Sequence, residues 1–315
     1  MLGRVCSCLA VAGALAAAPA AAGDGFLFAS MGGSGVAAPD GKLRFVPVGV
    51  SRADDTVLEA ISTKSGSIEN QLELVGLFGN PYTAGGADGM SHDGATLVLQ
   101  NADGIQSPST FAVVDANRLR LVHEVQLNGV FSYDALSPDG RRLYLIQYTQ
   151  GRSGDLSHYV VRAYDLKRER LLPGRIADRT QESWVMRGSP VTRTTSGDGR
   201  WVYTLYTNPG GYPFVHALDT VHGVAHCVGL PLRSQKRIYD AKLALQGSTL
   251  SVKPWFSIDT KTWHVSHAPR TSFPWWSLVF LAVLPLALLA GRRRAKELAE
   301  RVGDLLRASK RQVVV

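Results

Sequence analysis

The chain has 315 residues, 45% hydrophobic and 19% charged, a balance that excludes a disordered polyelectrolyte and fits a folded protein. Its net charge of +8 is unevenly spread: Arg292 to Val315 holds eight Lys/Arg against three acids, and Arg4 adds one more charge, which leaves only +2 for the body of the chain. The excess therefore does not form a nucleic-acid-binding face in the body, and no nucleic-acid partner is expected.

The first element is a leader. Arg4 precedes an apolar run from Val5 to Ala18, and Pro19-Ala20-Ala21-Ala22-Gly23 supplies small residues for cleavage after Ala22. A charged start, a short greasy core and a small-residue site make a secretory signal peptide over 1–22, with an uncleaved N-terminal anchor as the alternative. Cys6 and Cys8 fall inside it, so Cys227 stands alone in the exported chain, as a reactive thiol or as a small buried hydrophobe.

From 23 to 272 one turn signal recurs. It reads Pro39-Asp40-Gly41, His92-Asp93-Gly94, Pro138-Asp139-Gly140, Gly197-Asp198-Gly199 and, in degenerate form, Gln246-Gly247-Ser248. The glycines step by 53, 46, 59 and 48 residues. Gly tolerates the positive φ of a tight hairpin, and Asp bonds its own backbone. Alternating apolar residues follow each turn: Leu43 and Phe45, Leu97 and Leu99, Leu143 and Leu145, Val202 and Thr204, Leu250 and Val252. That is strand periodicity. A second turn follows at Ser62–Gly66, Asp115–Arg118, Asp165–Arg168, Asp219–Gly223 and Asp259–Thr262. Two hairpins per unit make four strands, and five such units predict an all-β chain, a β-propeller of about five four-stranded blades. Phe26 to Ala29 offers one more strand, placed to close the ring against Trp263–Val265.

Ala135-Leu136-Ser137-Pro138-Asp139-Gly140-Arg141-Arg142-Leu143-Tyr144 resembles the inner hairpin of WD40-like, YVTN-type bacterial propeller repeats. Tyr164-Asp165, Leu218-Asp219-Thr220 and Ile258-Asp259-Thr260 resemble the second hairpin of the same repeats. The resemblance covers about 26–268 and implies a fold, not an activity. The Gly-His and Trp-Asp dipeptides of true WD40 blades are missing.

One constellation lies at matching places in four units. Asp88, Asp134 and Arg193 each precede the turn glycine by six residues and Asp240 by seven. On innermost strands these side chains form a polar ring that takes a cation or, through Arg193, an anionic ligand; otherwise each Asp ties backbone amides of a neighbouring loop. Tyr203, Tyr206 and Tyr212 flank the loop Asn208–Gly211 and read as surface aromatics for binding or as packing between blades. His222 and His226 are four apart in a segment read as hairpin and strand, about 13 Å along a strand, too far to share one metal. No Gly-x-Ser-x-Gly elbow, His-Glu-x-x-His or phosphate loop occurs in the sequence. No catalytic residue, metal or cofactor is therefore assigned.

Near the C-terminus, Pro274 to Gly291 carries no charge over 18 positions, about 27 Å as a helix. Trp275 and Trp276 stand at its outer edge and Arg292-Arg293-Arg294 follow it, so 273–291 predicts a transmembrane helix with 23–272 outside and 292–315 in the cytoplasm. The alternative is a buried core helix. Leu298, Val302, Leu305 and Leu306 give the tail an apolar face, suited to the inner leaflet or to a partner helix. The expected function is a membrane-anchored extracytoplasmic module that binds a protein or small ligand. The alternatives are a hydrolase or lactonase-like enzyme with an acidic site at the channel mouth, and a signalling component acting through the tail.

Overall fold

A computed structural model describes residues 28–50, 54–104, 107–149, 158–178, 180, 185–232 and 235–268. The segments assigned to the leader, the membrane span and the tail lie outside these residues. Among the described residues no helix is long and apolar enough to cross a membrane.

The described chain is all-β, apart from a 3-10 turn over Gln235–Asp240. Five antiparallel sheets follow one another in chain order. Sheet 1 contains β2 (Val36–Ala37), β3 (Leu43–Val50), β4 (Asp55–Ser62) and β5 (Ile68–Leu74). Sheet 2 contains β6 (Phe78–Thr83), β7 (Gly86–Ala87), β8 (Thr96–Asn101), β9 (Ser109–Asp115) and β10 (Arg120–Leu127), with β1 (Phe28–Ser30) added beside β6. Sheet 3 contains β11 (Val130–Leu136), β12 (Arg142–Thr149), β13 (His158–Asp165), β14 (Arg170–Leu171) and β15 (Met186–Arg187). Sheet 4 runs β16 (Pro190–Thr195), β17 (Trp201–Tyr206), β18 (Phe214–Asp219), β19 (Val224–Gly229). Sheet 5 runs β20 (Lys242–Gln246), β21 (Thr249–Lys253), β22 (Phe256–Asp259), β23 (Val265–His267). This succession of mostly four-stranded antiparallel sheets is consistent with a propeller.

The repeated turns explain why each unit folds alike. Gly41, Gly94, Gly140, Gly199 and Gly247 all have φ between 57° and 72°, a region glycine enters without steric cost. In three units a serine two residues before the Asp donates its hydroxyl to Oδ1 of that Asp: Ser91 to Asp93, Ser137 to Asp139, Ser196 to Asp198. The second turn is built by Asp115, Asp165, Asp219 and Asp259, whose Oδ1 atoms each accept the N–H groups two and three residues on. Where Thr follows, it stitches this turn to the first one: Thr220 Oγ1 donates to Arg200 O at 2.7 Å and Thr260 Oγ1 to Ser248 O at 3.0 Å.

Central strands are covered on both faces, so their sequences are nearly continuous apolar runs. Leu97 and Leu99 pack toward sheet 1 while Val98, between them, packs toward sheet 3. Val202 and Tyr206 pack toward sheet 3 while Tyr203 and Leu205 pack toward sheet 5. Four such clusters join sheets 1 to 2, 2 to 3, 3 to 4 and 4 to 5. Glu59, Gln71 and Glu73 lie on the face of sheet 1 opposite its cluster, and Ser251, Ser257 and Ser266 on the corresponding face of sheet 5.

The N-terminal strand departs from expectation. β1 does not pair with the Trp263–Val265 segment; Phe28, Ala29 and Ser30 pair with Tyr82, Pro81 and Asn80 of β6. The reason is an excursion in sheet 2. β6 pairs with β8 only through Phe78 and Gly79, then turns into a hairpin with β7, and pairing resumes at Gly89 and Met90. The hairpin exposes a free strand edge, which β1 covers.

Candidate functional site

The same hairpin reaches across to sheet 4, where Ala84 N donates to Val191 O at 3.2 Å. Gly85 lies so close to the Arg193 backbone that a Cβ there would meet Arg193 O at 2.7 Å. Asp88 at the hairpin base is thereby brought to the Arg193 side chain. Arg193 Nη1 donates to Asp88 Oδ2 at 3.1 Å and Nη2 to Asp134 Oδ1 at 2.9 Å. Its Nε donates to Thr204 Oγ1 at 3.0 Å, and its guanidinium carbon lies 5.8 Å from the Tyr133 ring centroid. Tyr133 OH donates to Asp88 Oδ1 at 3.2 Å, and that oxygen also accepts Gly89 N–H at 2.8 Å. The Arg193 and Asp134 side chains are 4% and 3% exposed and Asp88 is 29% exposed, so the network is buried and opens slightly on the Asp88 side.

Burial alone would lower the Arg193 pKa, but the charges of Asp134 and Asp88 outweigh it and push it up. Burial raises the Tyr133 hydroxyl far above its ordinary range, and the Asp88 charge adds to this. The guanidinium stays ionised and the phenol protonated. Three of the four ring positions thus converge, on sheets 2, 3 and 4. Asp240 does not join them: it is exposed on the 3-10 turn before β20 and makes no ion pair with Arg193. The residue seven before Gly247 therefore ends the 3-10 turn, ahead of β20, and is not on a strand at all. Among the described residues no group of three or more His, Cys, Asp or Glu is placed to hold a metal ion.

The aromatic trio also divides. Tyr212 is 54% exposed on the loop after β17, with its carbonyl accepting from Asn208 Nδ2 at 3.1 Å. Tyr203 and Tyr206 are not on the surface. They are 3% and 0% exposed because β17 is an interior strand with a hydrophobic cluster on each face. His222 bonds Asp219 Oδ2 at 2.9 Å in the second turn, and His226 lies 4.7 Å from the Trp263 ring, so the two histidines serve separate contacts. Cys227 is largely buried, and burial reinforced by the Asp178 charge pushes its thiol up to about 12. That is the buried-hydrophobe reading of this residue.

Tyr133, His216 and Asp178 carry no signal in the repeat pattern, and Thr204 appears there only as a strand residue. Arg193, Thr204, His216 and Cys227 are successive cross-strand partners on β16, β17, β18 and β19. They form one row across sheet 4 on the face turned to sheet 3. Counting back from the second turn to His216 would have found part of this row.

No family model matches the sequence, and no curated protein matches it. Among solved structures the chain is similar to hydrazine synthase of Kuenenia stuttgartiensis, at 17% identity over 73% of this chain and 62% of that one, with a TM-score of 0.43. It is similar to TolB of Acinetobacter baumannii at 12% identity over 72% of this chain and 51% of that one, with a TM-score of 0.40. It is also similar to the β-propeller domain of Cps50 (Swd1) of Myceliophteria thermophila, at 10% identity over 79% and 69% of the two chains, with a TM-score of 0.42. The chain spans less than two thirds of the hydrazine synthase and TolB chains. At these scores the likeness carries nothing about activity.

Proposed function

We propose that the chain is a five-bladed β-propeller of the exported, WD40-like kind, held outside the cell by a span over 273–291, and that it acts as a binding module. The five consecutive sheets and their five positive-φ turn glycines support the blade count. The leader pattern and the uncharged run Pro274–Gly291 followed by three arginines support export and anchoring.

One observation favours binding over catalysis. Both carboxylates of the network, Asp88 and Asp134, are already held by Arg193, so neither is a free general acid or base of the kind a hydrolase needs. Recognition chemistry instead lies on connecting loops: Tyr212 and Tyr239 are 54% and 51% exposed, and Arg237 stacks on Trp255 with its guanidinium carbon 5.3 Å from the ring centroid. Exposed aromatics and arginine on loops are the residue types that dominate binding surfaces. The partner is an extracytoplasmic protein or small ligand.

The test places a photo-cross-linking side chain at Tyr212 or Tyr239 in the full chain in its native membrane. A discrete adduct from these positions, absent from a position on the outer face of sheet 1 such as Gln71, is expected. Equal labelling from all three positions, or none, would refute loop-mediated binding.

A further inference from the structure

A line of polar groups runs through the apolar cluster between sheets 3 and 4, separate from the Tyr144 hydroxyl that donates to Thr220 O at 2.6 Å. On sheet 4 the Arg193-Thr204-His216-Cys227 row crosses all four strands, and Tyr206 stands on the same face two residues from Thr204. On sheet 3, Ser132 and Tyr159 face it from β11 and β13. The Tyr159 and Tyr206 rings stack at 4.9 Å, and the Tyr206 ring lies 6.3 Å from that of His216. The line is closed at its inner end by the Arg193–Asp134 pair and at its outer end by Asp178, whose Oδ2 accepts Cys227 N–H at 2.8 Å.

Most of this line has no hydrogen-bond partner. Ser132 Oγ, Tyr159 OH, Tyr206 OH and both ring nitrogens of His216 are buried and unbonded among the described residues. Buried polar atoms are rarely left so, since each costs about 1–3 kcal/mol unpaired. Five such atoms on two facing walls are a shared property of the interface and not a single misplaced side chain.

We infer that this seam is a site for a small uncharged guest bearing hydroxyl groups. The atoms that need partners dictate the chemistry. Burial raises the Tyr159 and Tyr206 hydroxyls well above their ordinary range, so both stay protonated and each can donate and accept. Burial lowers the His216 pKa against the opposing pull of Asp134, so the ring is neutral at pH 7 and offers one donor and one acceptor. A hydroxyl group, which also donates and accepts, is complementary to each of these atom types. An anion would face the Asp134 carboxylate. A cation would find Asp134 and Asp88 already held by Arg193. Water and a small polyol share the required chemistry. The site is interior and does not depend on the loop-binding reading above.

The test uses full-length protein in detergent and follows thermal unfolding of Tyr159→Phe, Tyr206→Phe and the double variant. Phe keeps the ring stacking and removes only the hydroxyl. If a guest bonds these hydroxyls, each single change lowers Tm by about 2–4 °C, and the double variant loses less than the sum, because both act through one guest. Ser132→Ala combined with Tyr159→Phe is expected to be non-additive in the same way. If the seam is dry, removing an unbonded hydroxyl leaves Tm unchanged or raises it, and that result would overturn the inference. Strictly additive losses would overturn the shared guest. Mass spectrometry of the small molecules released on denaturation separates the sources: a polyol appears near one per chain, whereas water leaves no compound behind.

Discussion

Arg193 and Asp134 lie on the first strands of adjacent sheets with Nη2 2.9 Å from Oδ1, and neither side chain reaches solvent. Asp88, from the hairpin of a third sheet, completes the network at 3.1 Å. One guanidinium therefore ties sheets 2, 3 and 4 together. Replacing it with an apolar residue leaves two carboxylates facing each other without a counter-charge. Arg193→Met is expected to lose about 3–5 kcal/mol in denaturant unfolding, far more than Asp88→Asn at the partly exposed end. Similar losses for the two variants would show that the network is not organised around the arginine.

Asp219 holds the second turn of sheet 4. Partial burial works against its charged form, but bonds from Arg200, His222 and two backbone N–H groups prevail and hold it at about 2. An acid held below its ordinary 3.8 contributes stability that is present above pH 4 and is lost as pH falls through 2. The contribution is on the order of 2 kcal/mol. Asp219→Asn is expected to lose it at pH 7 and to show a flatter stability profile between pH 4 and 2.

His216 works in the same pH direction, in a higher range. Its pKa is lowered from 6.5 by burial, with Asp134 and Asp178 opposing and Arg193 assisting. The unfolded chain therefore takes up a proton first as pH falls below 6.5, and stability declines from that point. His216→Gln is expected to remove this decline while leaving the acid limb set by Asp219. An unchanged profile between pH 6.5 and 5 would show that the ring titrates normally in the folded state.

The turn glycines differ in what surrounds them. Gly41 has φ 69° with open space around it, whereas Gly199 has φ 72° and a Cβ there would sit 2.5 Å from His92 Cβ. Gly41→Ala is expected to cost about 1 kcal/mol from the backbone alone. Gly199→Ala adds a clash between sheets 4 and 2 and should cost roughly 2–4 kcal/mol. Equal losses would mean that the two hairpins do not touch.

Cys227, with its thiol at about 12, holds almost no thiolate at pH 8. Maleimide labelling of the native protein should be slow and should accelerate on unfolding. Rapid native labelling would restore the reactive-thiol reading.

The repeat was legible because its signals are local. A glycine forced to positive φ and an Asp bonding its own next amides are written within five residues, and all five units keep the glycine. Face coverage was not legible in the same way. Tyr203 and Tyr206 look alike from Asn208–Gly211, and only the presence of sheets on both sides of β17 buries them. The ring of four was partly legible: equal spacing from the turn glycine found Asp134, at the register shift in the first strand of sheet 3, and Arg193, in register on the first strand of sheet 4. It found Asp88 although the hairpin over 80–88 breaks the strand, because that hairpin returns to register at Gly89. It misplaced Asp240, which precedes its strand on a 3-10 turn. His216, and the pairing of the strand residue Thr204 with Arg193, were not legible because cross-strand neighbours are distant in sequence.

The proposal as a whole stands on where the sheets lie relative to a bilayer. An epitope placed after Val315, with protease added to intact cells and then to inverted membrane vesicles, addresses this directly. The proposed topology predicts an epitope protected in cells and cleaved in vesicles, with the 23–272 region showing the reverse. An epitope digested on intact cells would contradict it.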